Sequence, residues 1–124
     1  MPGERVLVVE DNEKNMKLVR DVLQATGYST LEATTGEDAV ELALSQEPAL
    51  VLMDVQLPGI DGVEALARLR RDERTASIPV LAVTAQAMSG DRERFLEVGF
   101  DGYVSKPIDV DELIQAVQQH CDPG

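Results

Sequence analysis

Leu50-Val51-Leu52-Met53-Asp54-Val55-Gln56-Leu57-Pro58-Gly59-Ile60-Asp61-Gly62 is the stretch that decides the fold. Its apolar run is too short for a helix that packs on its own, ends in one carboxylate and meets a Pro-Gly turn at once. Asp54 is thereby expected at the C-terminal end of a buried strand. In an open parallel sheet with helices on both faces, ligands bind in the crevice beyond those strand ends, so an acid there is well placed for chemistry. A solvated acid that merely opens a loop would leave the same local pattern. Three other segments favour the first reading, because each ends in a reactive residue where the same sheet would place it.

Upstream, Arg5-Val6-Leu7-Val8-Val9 is an unbroken run of the kind found in strands covered on both faces, and it ends in Glu10-Asp11. From Asn12 onward Met16, Val19 and Leu23 recur at helical spacing, and Gly27 stands where a left-handed cap is common. Tyr28 to Ala33 reads as a short strand. Thr35 with Asp38 three residues later resembles a capping box ahead of Ala39, Val40, Ala43 and Leu44, and Glu47-Pro48 stops that helix.

Downstream, Asp61 can cap a helix carrying Val63, Leu66 and Leu69, which gives way to a polar segment, Arg70 to Ser77, expected as an exposed loop. Ile78 to Val83 is a fourth apolar run, with its proline at the strand entrance and Thr84 at its end. Ser89 can cap a helix over Gly90 to Val98, closed by Gly99, with Asp91 near its positive end. Gly102-Tyr103-Val104-Ser105 is a short strand followed by Lys106-Pro107. Asp109 with Glu112 then opens a last helix whose Val110, Leu113, Ile114 and Val117 follow a core-facing pattern. Strand and helix alternate five times with short connections, which predicts a five-stranded parallel α/β sheet, doubly wound, within one domain spanning residues 1–124.

The whole-chain properties narrow the function. A chain of 124 residues suits one core, and 44% hydrophobic with 27% charged residues is an ordinary globular composition. The formal charge of -12 repels nucleic-acid phosphates and anionic membrane surfaces, so neither is expected as a direct partner, and cations are the natural ligands. No stretch approaches the roughly 20 apolar residues of a membrane span, and the start of the chain lacks a signal peptide's regions. With Cys121 as the single cysteine no intrachain disulfide can form, which suits a reducing, cytoplasmic setting.

Right-handed crossovers put all strand C-terminal ends on one edge, so Glu10, Asp11, Asp54, Thr84 and Lys106 are expected on a shared rim. Three carboxylates in close array repel one another, and oxygen ligands of this kind suit a hard divalent cation, Mg2+ above all. A carboxylate beside Mg2+ can attack an electrophilic phosphorus, and a lysine and a threonine hydroxyl could hold the phosphoryl oxygens. Each residue alone has a plainer reading as a helix cap, a packed threonine or a solvated lysine. Their joint appearance at successive strand ends is what weighs against it.

Val8-Val9-Glu10-Asp11-Asn12, Met53 through Gly62, Val83-Thr84-Ala85 and Tyr103-Val104-Ser105-Lys106-Pro107 together resemble the receiver domain of two-component response regulators, over essentially the whole chain. The likeness is greatest to single-domain regulators and to the receivers of hybrid histidine kinases. It implies a flavodoxin-like strand order 2-1-3-4-5. It also implies that Asp54 is the phosphoacceptor, that Asp11 and Asp54 bind Mg2+ directly, and that Glu10 acts largely through metal-bound water. The backbone carbonyl of Gln56 would be a further ligand, and Mn2+ can substitute. Thr84 would turn toward the phosphoryl group, Lys106 would pair with it, Tyr103 would move inward with Thr84, and Lys106-Pro107 would be cis. Gln56 and Gln86 occupy flanking positions that influence the lifetime of the phosphate.

The partners implied are a histidine kinase or a histidine phosphotransfer domain as donor. A downstream protein would read the face made by the fourth helix, fifth strand and fifth helix, from Met88 onward. The chain stops just after the fifth helix, so it reads either as a complete single-domain regulator or as a receiver fragment of a longer regulator or hybrid kinase. Such a domain is a signalling switch rather than an enzyme. An aspartate-nucleophile phosphatase would need a second acid two residues after Asp54, where Gln56 stands, and a flavin module would need a phosphate loop where Glu10-Asp11 would repel the ligand. His120, the single histidine, is expected to do no more than contact the dipole of the last helix.

Overall fold

The apolar runs become the strands of a parallel sheet. In the computed structural model, which describes residues 4–85 and 89–121 and the side chains of all of these but 89–92 and 121, β1 is Arg5–Val9, β2 Ser29–Ala33, β3 Leu50–Asp54, β4 Val80–Thr84 and β5 Gly102–Ser105. They alternate with α1 Glu13–Ala25, α2 Gly36–Gln46, α3 Gly62–Arg71, α4 Ser89–Val98 and α5 Val110–Cys121. The order across the sheet is β2-β1-β3-β4-β5, with every pairing parallel, as expected. Gln86 and Met88, and the side chains of Ser89 and Asp91, lie outside what the structure describes.

Every residue of β3 and β4 is buried, because helices cover both faces of the sheet. Alternate side chains feed two separate cores. Leu7, Val9, Val51, Met53, Val80 and Ala82 point to the side covered by α2, α3 and the Phe95 ring of α4. Val6, Val8, Leu50, Leu52, Leu81 and Val83 point to the side covered by α1 and α5. Each fully buried Leu or Val contributes about 1.5–3 kcal/mol relative to exposure, so the strand ends are held by a rigid support.

The helix ends follow the local chemistry. The side chains of Asn12, Thr35 and Asp61 accept from the backbone N–H of Asn15, Asp38 and Glu64, and Asp109 accepts from Glu112 N at 3.1 Å. Gly27 and Gly99 take positive φ after α1 and α4, and α2 ends with Glu47 itself in the left-handed region at φ 44. Lys106-Pro107 is cis.

Three expectations need correction. Val110 is exposed rather than core-facing, and Val63, at helical spacing with Leu66 and Leu69, is exposed as well. Both sit in the first turn of their helix. Leu44 is only partly buried, and it is Leu42 that packs on the core from α2.

The Arg70 to Ser77 segment is likewise no simple exposed loop. Arg70 and Arg71 complete α3, and Thr75 is fully buried with its hydroxyl donating to Leu69 O at 2.6 Å. The Arg70 guanidinium donates to the carbonyls of Ala76, Ile78 and Gly99 and to Asp101 Oδ2, which also accepts from Val80 N at 2.8 Å. This node joins the end of α3 to the start of β4 and the turn before β5. His120 meets the expected end-of-helix contact through its Nδ1, 2.8 Å from Ala116 O.

Candidate functional site

Because β1, β3, β4 and β5 run parallel, their last residues meet at one edge. Val9 stands opposite Met53, Asp54 opposite Val83 and Thr84 opposite Ser105. Backbone bonds knit the edge together: Val55 N donates to Val83 O at 3.1 Å, and Lys106 N to Thr84 O at 2.8 Å. A cleft of about 810 Å³ opens here, lined by Glu10, Asp11, Asp54, Gln56, Asp61 and Lys106 among others.

Asp54 is 4% exposed, and both of its oxygens are engaged. Gln56 N donates to Oδ1 at 3.0 Å, and Lys106 Nζ donates to Oδ2 at 3.0 Å. The same ammonium lies 2.9 Å from Glu10 Oε1, while Glu10 Oε2 accepts from Asn12 N at 3.1 Å. Glu10 is as buried as Asp54, whereas Asp11 is exposed. The shared lysine is what lets two buried carboxylates stand side by side.

Burial pushes the Glu10 carboxyl above its ordinary range; Lys106 pulls it back, and neighbouring Asp54 adds to the rise. Burial also works against the Lys106 charge, but the two carboxylates outweigh it and hold the ammonium above its usual value.

Glu10, Asp11 and Asp54 each offer a carboxylate oxygen, and these three atoms lie within 4.8 Å of one another. Ligands around one hard cation at about 2.0–2.1 Å would lie roughly 3–4 Å apart, so small side-chain adjustments suffice. The donor set is all oxygen and negatively charged, which fits a hard divalent cation such as Mg2+ or Mn2+ rather than a soft one. Thr84 ends β4 as a buried hydroxyl residue, and Tyr103 is half-buried against the α2–α3 side of the core. Glu10, Asp11, Asp54, Thr84 and Lys106 thus gather at the one edge where the sequence places them, and Gln56 lines the cleft from the connection after β3. Asp61 also lines the cleft, although the sequence marked it only as a helix cap; its place just after the Pro58-Gly59 turn was the available signal.

The chain matches the response regulator receiver domain family over residues 6–118. It belongs to that family. This receiver is 47% identical over 115 residues to the polar-differentiation response regulator DivK of Brucella ovis, covering 93% of this chain and 94% of that protein. Its fold is similar to the receiver domain of sensor histidine kinase PA1611 from Pseudomonas aeruginosa, solved with a magnesium ion coordinated in the active site cleft: TM-score 0.88, 35% identity, 96% of this chain and 98% of that one. The chemotaxis response regulator CheY4 of Vibrio cholerae is also similar, with TM-score 0.89, 25% identity and coverage of 94% and 98%. The receiver is a phosphorylation switch of two-component signalling, in a family that interacts with histidine kinases and phosphotransfer proteins. Among its described residues, no helix is long and apolar enough to cross a membrane.

Proposed function

We propose that this receiver accepts a phosphoryl group from a phosphohistidine onto Asp54, in a reaction that requires Mg2+ held by Glu10, Asp11, Asp54 and the backbone carbonyl of Gln56. The observation that carries this reading is the seating of Asp54, buried between the Lys106 ammonium and the first-strand acids, with each oxygen fixed by one donor. A carboxylate oxygen of Asp54 attacks phosphorus, the P–N bond of the donor breaks, and the imidazole nitrogen leaves and is protonated. The product is an acyl phosphate. Mg2+, when bound, neutralises the crowded carboxylates and the phosphoryl oxygens.

The protein's own residues do the rest. Gln56 N and Lys106 orient the carboxylate, and Lys106 then follows the transferred oxygens. The added charge, roughly -1.5 to -2, draws in the Thr84 hydroxyl, and Tyr103 takes the space it leaves. That rearrangement biases the α4-β5-α5 face toward a downstream protein. The donor is a histidine kinase or a histidine phosphotransfer domain, the setting cytoplasmic, and residues 1–124 act as one receiver domain that is a signalling switch rather than an enzyme.

The test is phosphotransfer profiling against histidine kinases and phosphotransfer domains of the same genome, with Mg2+ and with a chelator. A kinetic preference for one donor that vanishes on chelation is the expected result, and transfer indifferent to chelation would contradict it.

A further inference from the structure

The cleft has one wall with no strand beneath it, the connection from Val55 to Asp61. It carries Gln56, whose N–H holds Asp54 Oδ1, and it closes on its own first residue, just past β3, through Gly62 N donating to Val55 O at 3.0 Å. Its outer side rests on the first turn of α2. A Cβ placed on Gly36 would come within 2.6 Å of Ile60 Cγ1 and 2.7 Å of Ile60 O. Across the same contact, a Cβ on Gly59 would lie 2.8 Å from both carboxylate oxygens of Glu37. The first turn of a helix that supplies no residue to the cleft is therefore in backbone contact with the wall of the cleft.

We infer that the first turn of α2, through Gly36 against Ile60 and Glu37 against Gly59, is the positioning element that sets where the Gln56 backbone stands beside Asp54. The inference rests on the reading of the cleft as a Mg2+ and phosphoacceptor site. Gly36 is not among the glycines with positive φ, so its backbone conformation does not call for glycine. A side chain there could rotate Ile60 Cγ1 away, but the Ile60 carbonyl is main chain and can yield only if the connection moves. That connection is short and tied at both ends, to Asp54 by the Gln56 N–H and to Val55 by the Gly62 N–H. A displacement at Ile60 is therefore passed to Gln56 rather than absorbed. Groups that orient metal ligands without touching the metal typically govern affinity by about 10- to 100-fold when removed, and a displaced connection should cost somewhat less.

The experiment uses the whole chain. Gly36→Ala is compared with wild type by thermal unfolding, by the amide NMR position of Gln56 in chelator, and by calorimetric titration with Mg2+. The expected result is a folded protein with a displaced Gln56 amide and Mg2+ affinity lowered by about 3- to 10-fold. An unchanged Gln56 amide, or an unchanged affinity beside a moved amide, overturns the inference.

Should Gly36→Ala fail to fold, a cycle with Gly59→Ala and Glu37→Ala decides. The strain of alanine at φ 76 is common to both backgrounds, so the Mg2+ defect of Gly59→Ala should shrink at least about twofold once the Glu37 carboxylate is gone. An equal defect in both backgrounds refutes the contact. If wild type itself binds no Mg2+, the reading of the site fails, while the metal-free Gln56 amide still judges the role of Gly36.

Discussion

Lys106 Nζ stands 3.0 Å from Asp54 Oδ2, though 52 residues separate them in the sequence. The same atom is 2.9 Å from Glu10 Oε1, so one cation holds together two buried acids at the ends of different strands. Without a divalent ion it is the principal counter-charge of the cleft.

Lys106→Met should unfold more easily in chelator, by about 1–3 kcal/mol. That is less than the roughly 3–5 kcal/mol of a fully buried pair, because the Lys106 side chain keeps 19% of its surface. Mg2+ should restore more stability to the variant than to wild type, since it replaces a missing charge. Urea unfolding with and without Mg2+ checks this. Equal Mg2+ effects in the two proteins would contradict it.

The raised Glu10 carboxyl gives a pH dependence of definite sign. A group whose folded pKa lies above its unfolded value, here an ordinary 4.5, contributes stability below the unfolded value and loses it as pH rises through the folded one. In chelator, Glu10→Gln should therefore gain on wild type as the pH rises above about 4.5. Unfolding free energies across that window test it, and a difference growing in favour of wild type would refute it.

Much of this edge was legible in the sequence because strand ends in a parallel sheet are a topological necessity. The apolar runs before Asp11, Asp54 and Thr84, and the short strand before Lys106, fixed where those side chains would meet. What was not legible is whatever depends on how far a helix is covered. Val63 and Val110 carry the correct spacing to Leu66 and Leu113, yet they lie exposed in the first turns of their helices. The node around Arg70 was also invisible. An arginine in a polar run looks solvated, and its acceptors are carbonyls brought near only by the completed turn before β4.

That node yields a prediction of its own. Arg70→Met removes the donor to three carbonyls and to Asp101, and should cost about 1–3 kcal/mol. Asp101→Asn in the Arg70→Met background should cost less than it does alone, since their 2.9 Å contact is already gone. A double-mutant cycle by chemical denaturation measures the coupling, and strict additivity would show that the pair acts independently.

Thr84→Val keeps the shape of a buried side chain and removes its hydroxyl. Mg2+ binding should remain near wild type, while the spread of NMR shifts from β4 toward β5 on phosphorylation should contract. Shift changes as wide as in wild type would separate Thr84 from the switch.

The most direct measurement is intact-protein and peptide mass spectrometry after incubation with a small phosphodonor and Mg2+. The account predicts one added phosphoryl group, located on Asp54, lost on chelation before labelling and absent from Asp54→Asn. Full labelling of Asp54→Asn, or a stable phosphoryl group on any other residue of the wild-type chain, would contradict it.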